Sequence, residues 1–420
     1  MGKAKSEKSR TLKLIAGFFA AVILIQGLIY VISANSHEMF RQINREAEQN
    51  LYNSAVKQSV LLKNKLHGFS DMSDEVTDAN VVLSGILSKR GISAEAFLSD
   101  PGAQDMFIEK YAGELIDYMS ECSPSGVFML LCGDSDFLTN ETYRGLFIKD
   151  ADPDSADDFD TVMTRGSRSV SVHYNIPLDI NWTSDFEFSK SDAAKYRFFI
   201  EPVTAARKDP SRKSSYYGYW ADSFVFDDGS NERIITYSVP LIYEKSVYGV
   251  VGITLSCSRL SEMLGEEASD RGLVLFSSKK YTDNEDLSGI VQAMSNINSV
   301  KNIASGSQIN LAPAEYSDIA YTADGIELED GRAYCTASEV QLYSSDSYYE
   351  NTWYIAAVEG ENSIYSAYEY MRRHYNVTMI IMSVFGLACA IAFVVAVARS
   401  FTKFRDAVKS LVGKDKTEQK

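Results

Sequence analysis

The chain has 420 residues, with 57 acidic and 41 basic side chains, and its net charge is −16. This length predicts two or three domain-sized units at roughly 150 residues each. The acidic balance argues against nucleic-acid binding by the bulk of the chain, because the basic footprint of such proteins is absent. Residues 1–13 and 399–420 each carry a net charge of +4, which leaves −24 for the segment between them.

Two apolar runs lie beside these basic ends. Leu12–Ser33 is apolar apart from a lysine at its edge and one glutamine, and Met379–Ala398 contains no charged residue. Each run is close to the roughly 20 residues that a helix needs to cross a bilayer. We therefore predict a cytoplasmic leader, two transmembrane helices and a short cytoplasmic tail, at residues 1–11, 12–33, 377–398 and 399–420.

The basic clusters also predict the orientation. The positive-inside rule places both termini in the cytoplasm and the acidic middle outside, as in a two-pass protein of the cell membrane. A cleaved signal peptide is the alternative for the first run. It is less favoured because the run exceeds a usual signal-peptide core and Ser33-Ala34-Asn35 is a poor cleavage site.

A long helix is predicted for residues 34–69, directly after the first apolar run. Its apolar residues recur at spacings of four and seven, and no proline or glycine interrupts it before Gly68. Two roles remain open for it: the seam of a homodimer, or a spine against which the rest of the domain packs. Further helices are predicted at 74–89 and 93–118.

A buried strand is predicted at 126–132, with a partner at 142–149. The acidic stretch that follows, Asp150 to Asp160, has the alternate Asp spacing of a calcium loop. Ser155 and Thr161 stand where such a loop has Gly and Glu, so a solvated acidic loop is the favoured interpretation. Residues 162–188 show no regular pattern, and residues 192–206 predict a helix.

Three strands are predicted between Tyr216 and Ser256. The first is rich in aromatic residues, and the cluster Asp227–Asn231 that ends it is typical of a turn. Residues 233–241 favour a strand through their Ile, Thr, Tyr and Val side chains. Residues 247–255 alternate around two glycines, which indicates a buried strand that other backbone approaches closely.

A second module is predicted from about 260 to 375. Strands are expected at 272–277, 316–321, 334–342 and 352–358, with a loop and then a helix at 281–298. The last two strands predict a hairpin across Tyr343–Ser347. The helix that begins at Glu361 continues without a breaker into the second apolar run, so it can carry a movement of this module to the membrane.

The run IITYSVPLIYEKSVYGVVGITLS resembles the signature hairpin of the double Cache extracytoplasmic sensor domains of bacterial transmembrane receptors. The resemblance spans about 34–375. It implies an α+β fold, with two PAS-like antiparallel-sheet modules on the long N-terminal helix, flanked by the two transmembrane helices. The membrane-distal module would be 70–256 and would hold the ligand, and the membrane-proximal module would be 257–375.

The resemblance also implies a ligand site. Arg197 and Phe199 match the family's Arg-x-Trp segment, in which the Arg holds a ligand carboxylate through a forked hydrogen bond. Thr254 stands where family members place an Asp for the ligand ammonium, which leaves an organic acid, an amino acid or a ring compound as candidate ligands. Asp222 is a replacement for that carboxylate if it points inward. An aromatic wall is expected from Tyr219, Trp220 and Phe224.

No catalytic motif accompanies this pattern. P-loop, HExxH, GxSxG and GxGxxG spacings are absent, and the five cysteines form no CxxC pair, although a disulfide between Cys257 and Cys335 remains open. We therefore predict no enzyme activity, no cofactor and no metal. The predicted function is an extracytoplasmic small-molecule sensor that acts as a homodimer and signals through a cytoplasmic partner, since the chain contains no output domain. The alternative is an envelope-facing protein-interaction module with the same fold and no small-molecule ligand.

Overall fold

The structure is a computed structural model. It describes residues 37–133, 142–151, 160–188, 195–227, 229–265, 271–278, 286–295, 303–314, 317–328 and 331–414, together with positions 193 and 300 and scattered positions between 13 and 31. The core of the predicted acidic loop, 152–159, lies outside the described residues, so the calcium alternative stays a prediction. The chain forms two compact units, Glu48–Asn362 and a unit that joins residues up to Ala47 with those from Ser363 onward.

The helices follow the sequence pattern in the first third of the chain, except that the helix predicted at 93–118 is two helices, Ala94–Phe97 and Pro101–Cys122. Asp100 caps one of them, because its carboxylate accepts a hydrogen bond from the Ala103 backbone N–H at 3.0 Å. Another ends at Gly91, which has a φ of +64° that favours glycine. The helices are α1 (His37–Ser70), α2 (Ser73–Arg90), α3 (Ala94–Phe97), α4 (Pro101–Cys122), α5 (Arg168–Tyr174), α6 (Arg197–Lys208), α7 (Cys257–Gly265), α8 (Glu361–Ile364) and α9 (Ser366–Lys414).

Within the unit formed by the two ends of the chain, α9 runs for 49 residues. Its Asn376–Ser410 segment is the one helix among the described residues that is long and apolar enough to cross a membrane, and it contains the predicted 377–398 span. The N-terminal apolar helix is described only as Phe19–Leu28, shorter than the roughly 20 residues a span needs. The prediction of a first membrane helix at 12–33 is therefore not confirmed.

A seven-stranded sheet dominates the first part of the other unit, in the order β5-β4-β3-β1-β9-β8-β7. All neighbours are antiparallel except β4 and β5. The strands are β1 (Gly126–Leu131), β3 (Gly145–Asp150), β4 (Thr161–Arg165), β5 (Leu178–Thr183), β7 (Tyr219–Val225), β8 (Arg233–Tyr243) and β9 (Ser246–Ser256), with a separate pair β2 (Thr142–Tyr143) and β6 (Phe186–Glu187).

The three strands predicted between Tyr216 and Ser256 are confirmed as β7, β8 and β9. Gly252 on β9 shows why glycine is needed there, because a Cβ at this position would collide with the Tyr237 carbonyl oxygen of β8 and with the Phe128 ring of β1. The expectation that residues 162–188 are irregular is wrong. This segment contains β4, α5, β5 and β6, which are short and follow one another too closely to show a clear period.

The two faces of this sheet pack on different layers. One face packs on α2, α3 and α4, and the buried Tyr248 ring of β9 meets the rings of Phe97 on α3 and Phe107 on α4. The other face packs on α6 through an aromatic-rich cluster. The aromatic members of that cluster are Phe128, Tyr143, Phe147, Phe186, Phe188, Tyr196, Phe198, Phe199, Tyr217, Tyr219, Phe224 and Phe226.

The second module is antiparallel, as predicted, but its six strands form a closed barrel rather than a PAS-like sheet. The barrel closes because β10 pairs with both β11 and β15. The helix predicted within 281–298 is also wrong, since Leu287–Met294 forms β11, with Leu287, Val291 and Ala293 buried in the barrel. The strands are β10 (Gly272–Ser278), β11 (Leu287–Met294), β12 (Gln308–Pro313), β13 (Ala320–Leu328), β14 (Gly331–Val340) and β15 (Thr352–Gly360).

The long helix α1 acts as a spine for the barrel. The buried Glu48 carboxylate accepts hydrogen bonds from the hydroxyls of Tyr334, at 2.8 Å, and Ser317, at 2.7 Å. Three turns further along α1, the Ser59 and Ser338 hydroxyls are hydrogen-bonded at 3.1 Å. These contacts support the spine among the two roles predicted for the helix, and a homodimer seam stays a prediction.

Candidate functional site

A cavity of about 200 Å³ lies at the end of the sheet where β4, β5 and β7 meet the segment before α6. The sheet supplies Arg165 from β4, Thr183 from β5, and Phe224 and Val225 from β7. The segments around it supply aromatic walls and charged side chains: Phe186, Glu187, Phe188, Lys195, Tyr196, Phe226 and Asp227. The cavity exceeds by far the roughly 10–15 Å³ that one water requires.

Arg165 holds this end of the sheet together. Its side chain is buried, with the whole residue 7% exposed. Nη1 donates to the Thr164 carbonyl oxygen at 2.7 Å and to the Asn181 carbonyl oxygen of β5 at 3.2 Å. Nη2 donates to the Asp227 carbonyl oxygen just beyond β7. A single guanidinium therefore fixes β4, β5 and the end of β7 in one arrangement, as its rigid fork of donors allows.

The aromatic walls are ordered by their own contacts. The Phe188 and Tyr196 rings are stacked, with centroids 3.8 Å apart and planes inclined by 18°. The Tyr196 hydroxyl donates to the Glu187 carbonyl oxygen at 3.3 Å. The Arg165 guanidinium carbon lies 5.3 Å from the centroid of the Phe226 ring, a cation–π arrangement. These contacts set the spacing of the walls before any ligand binds.

The charges around the cavity are balanced. Arg165 and Lys195 are positive, Glu187 and Asp227 are negative, and Lys195 Nζ lies 3.4 Å from Asp227 Oδ1. The Lys195 and Asp227 side chains are 34% and 63% exposed, so this pair is at the mouth of the cavity. A pocket of this kind accommodates an apolar or ring-bearing body between aromatic walls and polar groups of either sign at its rim.

Two members of the sequence-predicted site, Arg197 and Tyr219, lie together outside this cavity. The Arg197 guanidinium carbon is 5.7 Å from the Tyr219 ring centroid. Arg197 Nε is 3.3 Å from Glu201 Oε1, one helical turn along α6, and its side chain is 49% exposed. Burial is the main cause of a raised pKa for the Tyr219 hydroxyl, so it stays protonated at neutral pH. Arg197 therefore has a surface partner already.

The predicted aromatic wall divides between the two faces of the sheet. Phe224 lines the cavity and its ring stacks on that of Phe198 at 5.5 Å. Phe199 is fully buried beside the Tyr143 ring, whose hydroxyl has its pKa raised to about 12 by burial. Trp220 is fully buried elsewhere, with its ring 5.7 Å from that of Trp353 on β15. Trp220 therefore faces the barrel and not the cavity.

The remaining two predicted residues also lie apart. Asp222 is half-buried, in an irregularity of β7. Thr254 is buried on β9, where it pairs with Gly126 and Thr236. It lines a second space of about 10 Å³, which holds about one water and no larger ligand. The structure thus brings Arg197 and Tyr219 together, places Phe224 in the cavity, and separates the rest; the seven-residue site stays a prediction.

Of the residues that line the cavity, sequence reasoning singled out Phe224 but not Arg165, Lys195 or the other aromatic walls. One signal was present: the stretch Phe186–Phe199 contains five aromatic residues in fourteen positions. That density indicates an aromatic cluster, but nothing in the sequence links Arg165 to it. Among the described residues, no group of three or more His, Cys, Asp or Glu side chains is placed to hold a metal ion.

The five cysteines are all free thiols, so the Cys257–Cys335 disulfide that the sequence left open is not formed. Burial raises the pKa of the Cys132, Cys257 and Cys335 thiols to about 12. A thiol with such a pKa is almost entirely protonated at neutral pH and is a poor nucleophile. These side chains therefore act as small apolar groups of the core.

No protein-family model matches the chain, and no curated protein matches it. Solved structures do match. The extracellular domain of the histidine kinase soHK1S-Z6 matches at 14% identity and a TM-score of 0.40, over 78% of this chain and 99% of that one. The ligand-binding domain of the Pseudomonas fluorescens chemoreceptor CtaA, in complex with L-isoleucine, matches at 12% identity and a TM-score of 0.40, over 78% and 97%.

The ligand-binding domain of the Campylobacter jejuni chemoreceptor Tlp3, in complex with 4-methylisoleucine, matches at 10% identity and a TM-score of 0.37, over 77% of this chain and 94% of that one. Because the TM-scores are below 0.5, the ligands of these receptors are properties of those receptors alone. Over about three quarters of its length, this chain resembles the ligand-binding and extracellular domains of chemoreceptors and histidine kinases, the double Cache type of sensor domain that the sequence resemblance predicted.

Proposed function

We propose that this protein is a membrane-anchored extracytoplasmic sensor, and that its small-molecule ligand binds in the cavity between β4, β7 and the segment before α6. The observation that carries the proposal is the cavity itself. It is about 200 Å³ in volume, has aromatic walls, and contains both a buried guanidinium and an ammonium. A cavity with aromatic walls and a few convergent polar groups is the usual form of a ligand site.

The membrane anchor in this proposal is α9. Its Asn376–Ser410 segment has the length and composition of a transmembrane helix, and basic residues follow it. The acidic segment before it then lies outside the cytoplasm by the positive-inside rule. A second anchor at 12–33 and a homodimer remain part of the proposal. The signal leaves the sensor module through α9 toward a cytoplasmic partner.

The test is a thermal-shift screen of the full chain in detergent, with amino acids, organic acids, nucleobases, amines and sugars. A ligand that binds the native state at 100 times its Kd raises the free energy of unfolding by about 2.7 kcal/mol. A measurable rise in Tm is therefore expected for the correct class.

Three matched variants then locate the site. Lys195→Met removes the ammonium at the mouth of the cavity, and Arg197→Met removes the guanidinium that the sequence predicts to bind the ligand. A shift that is lost in Lys195→Met and in Phe224→Ala but kept in Arg197→Met supports the cavity. A shift that is lost only in Arg197→Met contradicts the cavity and supports the sequence-predicted site. No shift with any compound class contradicts the sensor proposal.

The alternative function, docking of an envelope protein, is favoured by one observation. Ile180 on the edge strand β5 is 96% exposed, and Val172 on the neighbouring α5 is 74% exposed. Exposed apolar side chains on an edge strand are typical of a strand that another chain covers. If the screen gives no shift, Ile180→Glu is the first variant for binding experiments with envelope proteins.

A further inference from the structure

The strand β7 belongs to two parts of the molecule at once. Its C-terminal end supplies Phe224 and Val225 to the wall of the cavity, and Phe226 and Asp227 follow directly. One edge of β7 pairs with β8, and the opposite edge is the outer edge of the seven-stranded sheet, where no further strand pairs with it. That edge is covered by the barrel, so β7 contacts both the cavity and the barrel.

The loop 341–351, between β14 and β15, supplies most of this cover; we call it the clasp. The Tyr343 hydroxyl accepts a hydrogen bond from the Trp220 N–H at 2.9 Å, and the Asn351 amide donates to the Trp220 carbonyl oxygen at 3.2 Å. The Tyr348 N–H donates to the Tyr216 carbonyl oxygen at 2.9 Å. The clasp thus bonds the free backbone groups of the sheet edge much as another strand would.

A second contact holds the irregular part of β7. The buried Gln292 side chain of β11 accepts from the Ser223 N–H at 2.6 Å and donates to the Ser277 hydroxyl at 3.1 Å. The Arg233 guanidinium donates to the Ser223 carbonyl oxygen at 2.6 Å. Ser223 directly precedes Phe224, so the barrel is bonded to the residue beside the cavity wall.

The clasp and the beginning of β15, which follows it, contain buried polar groups without hydrogen-bond partners in the part of the chain that the structure describes. The Tyr349 hydroxyl and the Trp353 indole N–H are buried and have no hydrogen-bond partner among the described residues. Their rings pack against β7, with Tyr349 4.7 Å from Tyr219 and Trp353 5.7 Å from Trp220. Buried polar groups without partners raise the free energy of the arrangement that contains them.

We propose that the clasp is the coupling element of this protein: its engagement on the edge of β7 depends on the position of the cavity wall, so that occupancy of the cavity and engagement of the clasp are linked. This rests on the proposed function for the role of the ligand. By thermodynamic linkage, occupancy of the cavity changes the equilibrium of clasp engagement by the same factor by which clasp engagement changes the affinity of the cavity for its ligand. The clasp connects directly to β15, and β15 is followed by α8 and α9.

The test compares two cavity-wall variants by hydrogen–deuterium exchange of the full chain in detergent. Phe224→Leu and Phe188→Leu are matched, because each ring is 8% exposed, lines the cavity and contacts Phe198. Only Phe224 is on β7. We expect Phe224→Leu to speed exchange in the clasp, at the Tyr348 amide above all, by about fivefold, and Phe188→Leu to change it by less than about twofold.

The reciprocal variant is Tyr343→Phe, which removes one oxygen atom from the clasp. We expect exchange at the Val225 amide, on the cavity side of the irregularity, to rise by about threefold. Unchanged protection of β1 shows that the fold is intact. If Phe224→Leu loses the protection of β1, its fold is disturbed, and Tyr343→Phe alone tests the coupling.

Equal effects of Phe224→Leu and Phe188→Leu on the clasp, or no change at Val225 in Tyr343→Phe, would overturn the coupling. Neither arm uses a ligand. A failed ligand screen and a failed coupling experiment are therefore separate results, and each can occur without the other.

Discussion

Arg165 is the last residue of β4 and Arg197 is the first residue of α6, and the structure gives these two arginines opposite roles. Arg165 is buried and donates to the carbonyl oxygens of Thr164, Asn181 and Asp227. Arg197 is half-exposed and pairs with Glu201 on its own helix. The substitutions Arg165→Met and Arg197→Met keep the apolar stem and remove the guanidinium in each case, so they compare the two charges directly.

The magnitudes follow from these contacts. We count about 1 kcal/mol for each of the three hydrogen bonds, which gives a loss of about 3 kcal/mol for Arg165→Met. This is below the usual value for hydrogen bonds to a charged group, because water that enters the cavity replaces part of the lost bonding. Relief of the desolvated charge offsets some of this, which leaves an expected loss of about 2–3 kcal/mol in the free energy of unfolding. Arg197→Met removes an exposed pair at i,i+4 spacing and is expected to cost about 0.3–0.5 kcal/mol.

Urea unfolding of the full chain, followed by tryptophan fluorescence, measures both. The Trp182 indole donates to the Gly166 carbonyl oxygen at 3.0 Å, next to Arg165, and is therefore a local reporter. Equal midpoints for the two variants would refute the assignment of Arg165 as the residue that fixes β4, β5 and the end of β7.

Three further predictions concern stability. Tyr334→Phe removes a hydroxyl that donates to the buried Glu48 carboxylate, and it is expected to lower the free energy of unfolding in urea by about 1–2 kcal/mol. The same substitution in a Glu48→Ala background should lack this cost, because the hydrogen bond is already absent there. Burial raises the pKa of the Cys335 thiol from 9.0 to about 12. The stabilisation that the buried protonated thiol contributes to the free energy of unfolding is therefore complete below pH 8 and falls above pH 9, by about 1.4 kcal/mol at pH 10. Cys335→Ala should reduce the loss of stability between pH 8 and pH 10 by that amount. Gly252→Ala is expected to lower the free energy of unfolding by about 2 kcal/mol, whereas Gly85→Ala, with open space around it, is expected to raise it by about 0.5 kcal/mol.

The part of the fold that the sequence predicts well is the part set by local chemistry. β8 and β9 have continuous buried runs, and the turn between them uses Glu244 and Lys245 at positive φ, within the predicted turn 243–246. The hairpin of β14 and β15 across the clasp was predicted for the same reason. Apolar runs of this length with turn residues between them leave few alternatives to a hairpin.

The segment 281–298 shows where local chemistry is not sufficient. Its apolar residues fit a helix as well as a strand, because Leu287, Ile290, Val291 and Met294 recur at spacings of three and four. Pairing with β10 and β12 selects the strand. Barrel closure depends on contacts between residues that are far apart in the chain, and no local pattern contains them.

The cavity was not predictable for a similar reason. The carbonyl oxygens that hold Arg165 belong to residues 16 and 62 positions away as well as to its neighbour in the chain. A lone arginine at the end of a short strand carries no sign of these partners. The family resemblance directed attention to Arg197 instead, which matches the motif in sequence but has the exposure and the partner of a surface residue.

The displacement of Trp220 from the predicted site has a single geometric cause in β7. Side chains of a strand alternate between faces, so Trp220 and Phe224 would share a face in a regular strand. The pairing of β7 with β8 shifts by one residue between Ala221 and Phe224, so that two residues of β7 oppose one residue of β8. Such a bulge reverses the alternation beyond it. Tyr219 and Ala221 before the bulge therefore share the cavity-side face with Phe224 and Phe226 after it, and Trp220 is turned toward Trp353 of the barrel. The same extra residue, at Asp222–Ser223, places an aromatic side chain in the cavity wall and leaves Ser223 bonded to the barrel, so one bulge gives β7 both of its contacts.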